Sequence, residues 1–178
     1  MKKSEYFLIS FCTFLWLFTS GCVQYIARYD GLYEGKIVDA ETRVPIEGVV
    51  VLGVWYKEAP TVAGAVSSYY DARETITDGN GDFKIPGKGL KILSDVGAMN
   101  VLIFKSGYEY IGLWPWETFR NMEKILWEGE KAIIPLRKLT MAERRESATF
   151  PHDAGTPEEK AKMMIEEMRK ERKERGLD

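Results

Sequence analysis

Val49-Val50-Val51-Leu52-Gly53-Val54-Trp55-Tyr56 is the stretch that most limits what this chain can become. β-Branched and aromatic side chains pack well on a pleated surface and lose rotamer freedom in a helix, so the run reads as a strand. No charged residue interrupts it, and the usual in-and-out alternation is missing. The strand therefore reads as buried on both faces, or nearly so.

The flanking segments look different. Tyr33-Glu34-Gly35-Lys36-Ile37-Val38-Asp39 alternates apolar and polar residues at period two, as a half-buried strand does. Residues 40–48 form a turn region with Pro45 and Gly48. Residues 73–77 and 83–86 bracket Thr77-Asp78-Gly79-Asn80-Gly81-Asp82-Phe83, which predicts a tight hairpin turn. Glycine supplies positive φ there, and Asp and Asn bond their own backbone. Pro86 is expected to end the outgoing strand, because proline cannot donate to a ladder. A short strand over residues 90–93, a firm one over 100–105 and a last one over 131–136 complete the β pattern.

Asp78, Asn80 and Asp82 also open a calcium-loop pattern, but the rest of that signature fails. Phe83 stands where the sharp-turn glycine belongs, and Gly89 where the bidentate glutamate belongs. The reading is a plain turn, with no metal and no cofactor.

Two stretches are candidates for binding. Residues 58–71 are rich in small side chains and lack a clean period, which predicts a long loop, a place where binding determinants often sit. Within it, Tyr69 and Tyr70 either pack the loop onto the sheet or meet a ligand. Residues 110–127 hold Trp114, Trp116, Phe119 and Trp127. Pro115 and Glu117 predict a helix start, with Phe119, Met122, Ile125 and Leu126 toward one face. This helical insertion either seals an open end of the β structure or presents Trp114 and Trp116 to sugar rings.

The N-terminus reads as an address. Met1-Lys2-Lys3 is basic, residues 6–18 are almost unbroken apolar, and Thr19-Ser20-Gly21 places small residues before Cys22. The apolar run is short for a permanent span and fits a secretory signal. The boundary resembles the lipobox of bacterial lipoproteins, with Thr19 where leucine is usual. That resemblance implies cleavage after residue 21 and acylation of Cys22, which would also account for a mature chain with one cysteine. Val23 follows, where aspartate would mark inner-membrane retention in enterobacterial lipoproteins. By that resemblance the outer membrane, facing the periplasm, is the expected location.

Four segments in order carry a second resemblance. They are Gly35-Lys36-Ile37-Val38-Asp39, Pro45-Ile46-Glu47-Gly48-Val49-Val50-Val51, Thr77 to Phe83, and Phe104-Lys105-Ser106-Gly107-Tyr108. Together they resemble the carboxypeptidase regulatory-like domain, a transthyretin-like β-sandwich. The resemblance implies an all-β, antiparallel Greek-key sandwich of about seven strands over residues 31–138, joined to Cys22 by a tether at 22–30. It implies no catalysis, because the zinc and catalytic residues of the carboxypeptidases belong to another domain.

The remainder, 139–178, reads as a charged extension. A short helix is expected at 141–146. Thr156-Pro157-Glu158-Glu159 predicts the start of a helix over 157–175, with Gly176 as its stop. Its apolar stripe is short, and its last turns are expected to be solvated. Met164, Ile165 and Met168 either bind a partner or dock on the chain's own domain.

With 178 residues, 45% hydrophobic and 29% charged, and a net charge of −2, the chain suits one globular domain and an appendage. That charge argues against nucleic acid as a partner. The function expected is a non-catalytic binding or assembly module, held on a membrane by a lipid anchor and meeting an envelope protein or a glycan. Peptidoglycan recognition through Trp114 and Trp116 is the alternative. An envelope hydrolase using the one histidine, His152, with Ser147 is a remote third, since nothing in the polar tail would orient that histidine.

Overall fold

The structure, a computed structural model, describes residues 27–62, 64–146 and 155–177. The expected leader at 1–21, Cys22, Ser147 and His152 lie outside these residues. The described residues belong to two compact units. One takes in residues up to Gly31 together with Lys88–Asp95, and the other Leu32–Gly87 with the residues from Val96 onward.

Eight strands are described: β1 Ala27–Asp39, β2 Val50–Thr61, β3 Gly64–Ile76, β4 Asp82–Ile92, β5 Asn100–Phe104, β6 Ile111–Pro115, β7 Leu126–Glu128 and β8 Lys131–Leu136. They form two four-stranded sheets. The first has the order β4-β1-β8-β7 and the second β3-β2-β5-β6. The all-β expectation holds at this level. The strand pairs of the second sheet are antiparallel, but β1 and β8 run parallel, from Gly35↔Ala132 to Asp39↔Leu136. An all-antiparallel sheet is therefore not what forms.

One core joins the two sheets. Tyr33 and Ile37 of β1, Phe83 and Ile85 of β4, and Ala132, Ile134 and Leu136 of β8 meet Val51 and Trp55 of β2 and Val101 and Ile103 of β5. Gly53 interrupts the valine run of β2 because a Cβ there would collide with the Met99 side chain. The opposite face of β2 and β5 carries Val50, Leu52, Val54, Leu102 and Phe104, and this face is buried too, in a second cluster with Ala161 and Met164. The double burial expected of residues 49–56 thus has its cause in a second covering layer.

Three sequence expectations are corrected here. First, residues 58–71 are not a loop, because β2 and β3 continue as a long hairpin out to Thr61↔Gly64. The described side chains of residues 57–68 are exposed, so neither face of this arm imposes the alternation by which strands are recognised. Second, Thr77 to Phe83 does not close a hairpin. β3 lies in the second sheet and β4 in the first, so the turn carries the chain between sheets. Corners and hairpins demand the same Gly and Asx chemistry, so composition does not separate them. Third, Pro86 does not end its strand. β4 is an edge strand running through to Ile92, and an edge tolerates a missing donor. The Pro86 carbonyl accepts a hydrogen bond from Arg73 Nη1 at 2.6 Å.

Candidate functional site

The corner at Asp78 is built from its own backbone. Asp78 Oδ1 accepts the N–H groups of Asn80 and Asp82, both at 2.9 Å, and Gly81 N–H donates to the Asp78 carbonyl at 2.8 Å. Gly81 sits at φ 75°, against the Ile37 carbonyl, where any Cβ would collide. The buried Thr77 hydroxyl donates to the Ile46 carbonyl at 2.7 Å and accepts the Val49 N–H at 2.9 Å. Ile37 N–H in turn donates to the Gly81 carbonyl, and Ile46 N–H to the Ile37 carbonyl. Three of the four ordered segments are therefore stitched together at one place.

The C-terminal extension is fastened at both ends. Helix α1, Met141–Glu146, starts with a reciprocal cap. Thr140 N–H donates to Glu143 Oε2 at 2.8 Å, and Glu143 N–H donates to Thr140 Oγ1 at 3.3 Å. The Thr140 N–H and the Arg137 guanidinium together hold the Glu143 carboxyl down to about 2. Helix α2 is Lys162–Arg175, so the helix begins later than expected. Pro157 leads only into a 3-10 turn, Glu158–Lys160, and Thr156 is not the cap. The first turn of α2 is capped from the sheet instead. Glu74 of β3 accepts the N–H groups of Met163 at 3.0 Å and Met164 at 2.8 Å, an anion at a helix N-terminus. Lys160 pairs with Asp71 of β3 at 2.9 Å.

Near the other end, Arg144 of α1 reaches α2. Its Nε donates to Glu171 Oε1 at 2.9 Å, its Nη2 to Glu171 Oε2, and the same Nη2 to Glu174 Oε2 at 2.6 Å. The Ser106 and Gly107 N–H groups donate to Glu167 Oε1 at 2.9 Å and Glu171 Oε2 at 3.0 Å. Arg144 and Glu171 are 8% and 6% exposed. Burial works against the charge on Glu171. The hydrogen bonds from Arg144, Gly107 and Ser106 outweigh it and hold the carboxyl below its ordinary range. The Arg144 hydrogen bond does the same for Glu174. Gly176, at φ 74°, then stops the helix as expected.

The methionine face is consequently occupied by the chain itself. Met164 is 2% exposed among Val50, Leu52 and Phe104, and Ile165 and Met168 pack against that cluster. Met164 is buried here, while Ile165 and Met168 stay half-buried at the edge of the cluster. The expectation that the last turns are solvated is corrected, since Glu171 and Arg175 are buried. Positions 161, 164, 168, 171 and 175 share one helical face, so the apolar stripe continues as a charged one. That stripe, together with Thr140-x-x-Glu143, was the signal that sequence reading missed.

The aromatic segment splits. Trp116 is 7% exposed, stacked on Phe119 at 5.5 Å and edge-on to Tyr33 and Trp127 at 5.7 and 5.9 Å. It belongs to the core, whereas Trp114 on β6 is 50% exposed, so the two do not form a shared platform. The expected α-helix is a 3-10 helix, Trp116–Asn121, whose three residues per turn do not sustain the periodicity. Leu126 therefore falls on β7, exposed. Of the two tyrosines, Tyr69 packs against the cluster beneath α2, while Tyr70 is 40% exposed on the arm with Lys57 Nζ 5.4 Å from its ring centre.

Comparison with protein-family models, curated proteins and solved structures finds no match.

Among the described residues, no group of His, Cys, Asp and Glu is arranged to hold a metal ion. No helix among them is long and apolar enough to cross a membrane. Large apolar side chains left exposed among the described residues include Val62, Val66 and Tyr70 of the β2–β3 arm, Trp114, and Tyr29 with Leu90, Ile92 and Leu93.

Proposed function

We propose that this chain is a lipid-anchored cell-envelope protein whose sandwich is a non-catalytic binding or assembly module. The observation that carries the reading is the order Met1-Lys2-Lys3, apolar run, Thr19-Ser20-Gly21-Cys22, with strand β1 beginning only five residues later at Ala27. A chain so tethered keeps its domain against the bilayer, and multiple acyl chains make that attachment stable. The scaffold reading, a carboxypeptidase regulatory-like sandwich with Greek-key connections, draws support from the convergence of Ile37, Ile46, Thr77 and Gly81 on one hydrogen-bonded corner.

The binding element is the β2–β3 arm. Its outer residues bury little, yet it is long and paired from Tyr56↔Tyr69 out to Thr61↔Gly64, with Val62 and Val66 exposed at its end. Backbone pairing holds it in shape without a core, which suits an element kept for contact. The tail, by contrast, is committed to the second sheet.

Replacing Cys22 with Ser and following the protein through membrane fractionation tests the anchor. The variant is expected to leave the membrane fraction. Retention at the wild-type level would defeat the lipoprotein reading.

A further inference from the structure

The smaller unit carries an apolar surface that the fold does not use. Asp30 is 3% exposed, and its Oδ2 accepts the Lys88 N–H at 2.7 Å, which fastens the start of β1 to the end of β4. Around this link Tyr29 is 75% exposed, Leu90 64%, Ile92 60% and Leu93 79%. Leu90 and Ile92 flank Lys91 on the strand and so share a face. Leu93 follows at φ 48°, a left-handed conformation in which a bulky residue is unusual. Single exposed apolar residues are ordinary, but Leu90, Ile92 and Leu93 lie within four residues, with Tyr29 on the neighbouring strand, and such a cluster is what a contact surface carries.

We propose that this surface lies on the phospholipid bilayer that holds the acyl chains. The proposal rests on the reading of Cys22 as the acylated residue. Ala27 follows Cys22 by five residues, a reach of at most about 18 Å, so the anchored chain cannot carry Tyr29 far from the headgroups. The side-chain chemistry fits that depth. Tyrosine is favoured where one end is apolar and the other wet, and leucine and isoleucine bury in the acyl boundary. Lys88 and Lys91 are interleaved with them, and lysine stems lie along apolar surface while their charge stays at headgroup level.

The test uses the full-length acylated protein in vesicles of phosphatidylethanolamine and phosphatidylglycerol. An environment-sensitive fluorophore is attached at Leu93→Cys, at Leu90→Cys as a second position, and at Ser67→Cys on the arm as the control. The expected result is blue-shifted emission at 93 and 90, quenched by lipids brominated near the headgroup, with water-like emission at 67. The mass of the N-terminal peptide, read from the same samples, reports acylation of Cys22. Water-like emission at 93 and 90 on an acylated protein overturns this proposal and leaves the anchor standing. A blue shift that headgroup bromination does not quench points to a second copy or a protein partner, and also overturns it. An unmodified Cys22 overturns the anchor and this proposal together.

Discussion

The two sheets share a core but differ on their outer faces. The first sheet carries charged pairs on its outer face, Lys84 with Glu34 at 3.2 Å and Lys131 with Asp82 at 2.9 Å. The second sheet is covered on that side by helix α2, with Met164 driven into Val50, Leu52 and Phe104. The difference was written into the strands, since β1 alternates polar and apolar residues while β2 does not. A strand without alternation needs two covers. In this chain the second cover comes from residues about a hundred positions away, and charged groups, Glu74 at one end and Arg144 at the other, hold it down.

The largest effect should come from breaking the buried pair. Arg144→Ala leaves Glu171 buried without its partner and should lower stability by about 3 kcal/mol or more in urea titration, since an uncompensated buried charge is costly. Replacing both residues together, Arg144→Met with Glu171→Leu, should recover most of that loss. If the double variant is as unstable as the single one, Arg144 stabilises through more than Glu171. Met164→Ala comes next, at about 2–3 kcal/mol, for a buried methionine whose cavity the helix cannot close. Thr77→Val removes a hydroxyl with two buried partners, the Ile46 carbonyl and Val49 N–H, and should cost about 1–2 kcal/mol. Lys84→Ala, on the outer face of the first sheet, should change the urea midpoint too little to measure. A loss there as large as that of Met164→Ala would erase the distinction between the two outer faces.

Acid should act on one sheet more than the other. The folded-state values of Glu171 and Glu174 are lowered by their hydrogen bonds, and Glu143 is held at about 2. Groups lowered in this way stabilise the fold above the ordinary carboxylate range, and that contribution is lost as pH falls through their folded values. Below a pH of about 4.5, Met164 and its neighbours should therefore loosen before Trp55 and Ile37 do. Side-chain NMR across the titration would show it, and simultaneous loss of both sets of signals would speak against a separate clamp.

Much of the fold was legible because hydrophobic burial leaves a periodic trace. β5, β8 and α1 lie close to where their residues predict, and the motif at Thr77 marks the corner that ties Ile37 to Ile46. The arm was illegible because exposed paired strands obey no alternation, and the corner passed for a hairpin because both use the same residues. The clamp escaped for a different reason. Glu171 and Arg175 look like solvated helix charges, and the first of them is covered by distant partners, Arg144 27 residues away with Ser106 and Gly107. Of the expected binding residues, Trp116, Tyr69 and Met164 are packed inward, while Tyr70 and Trp114 remain outward.

Amide hydrogen exchange on residues 162–175 in the isolated protein tests the central claim, that the tail is part of the fold rather than a surface offered to partners. The account predicts protection of α2 approaching that of β2, collapsing in the Arg144→Ala variant while β2 stays protected. Exchange in the wild type as fast as that of a free helix would contradict it.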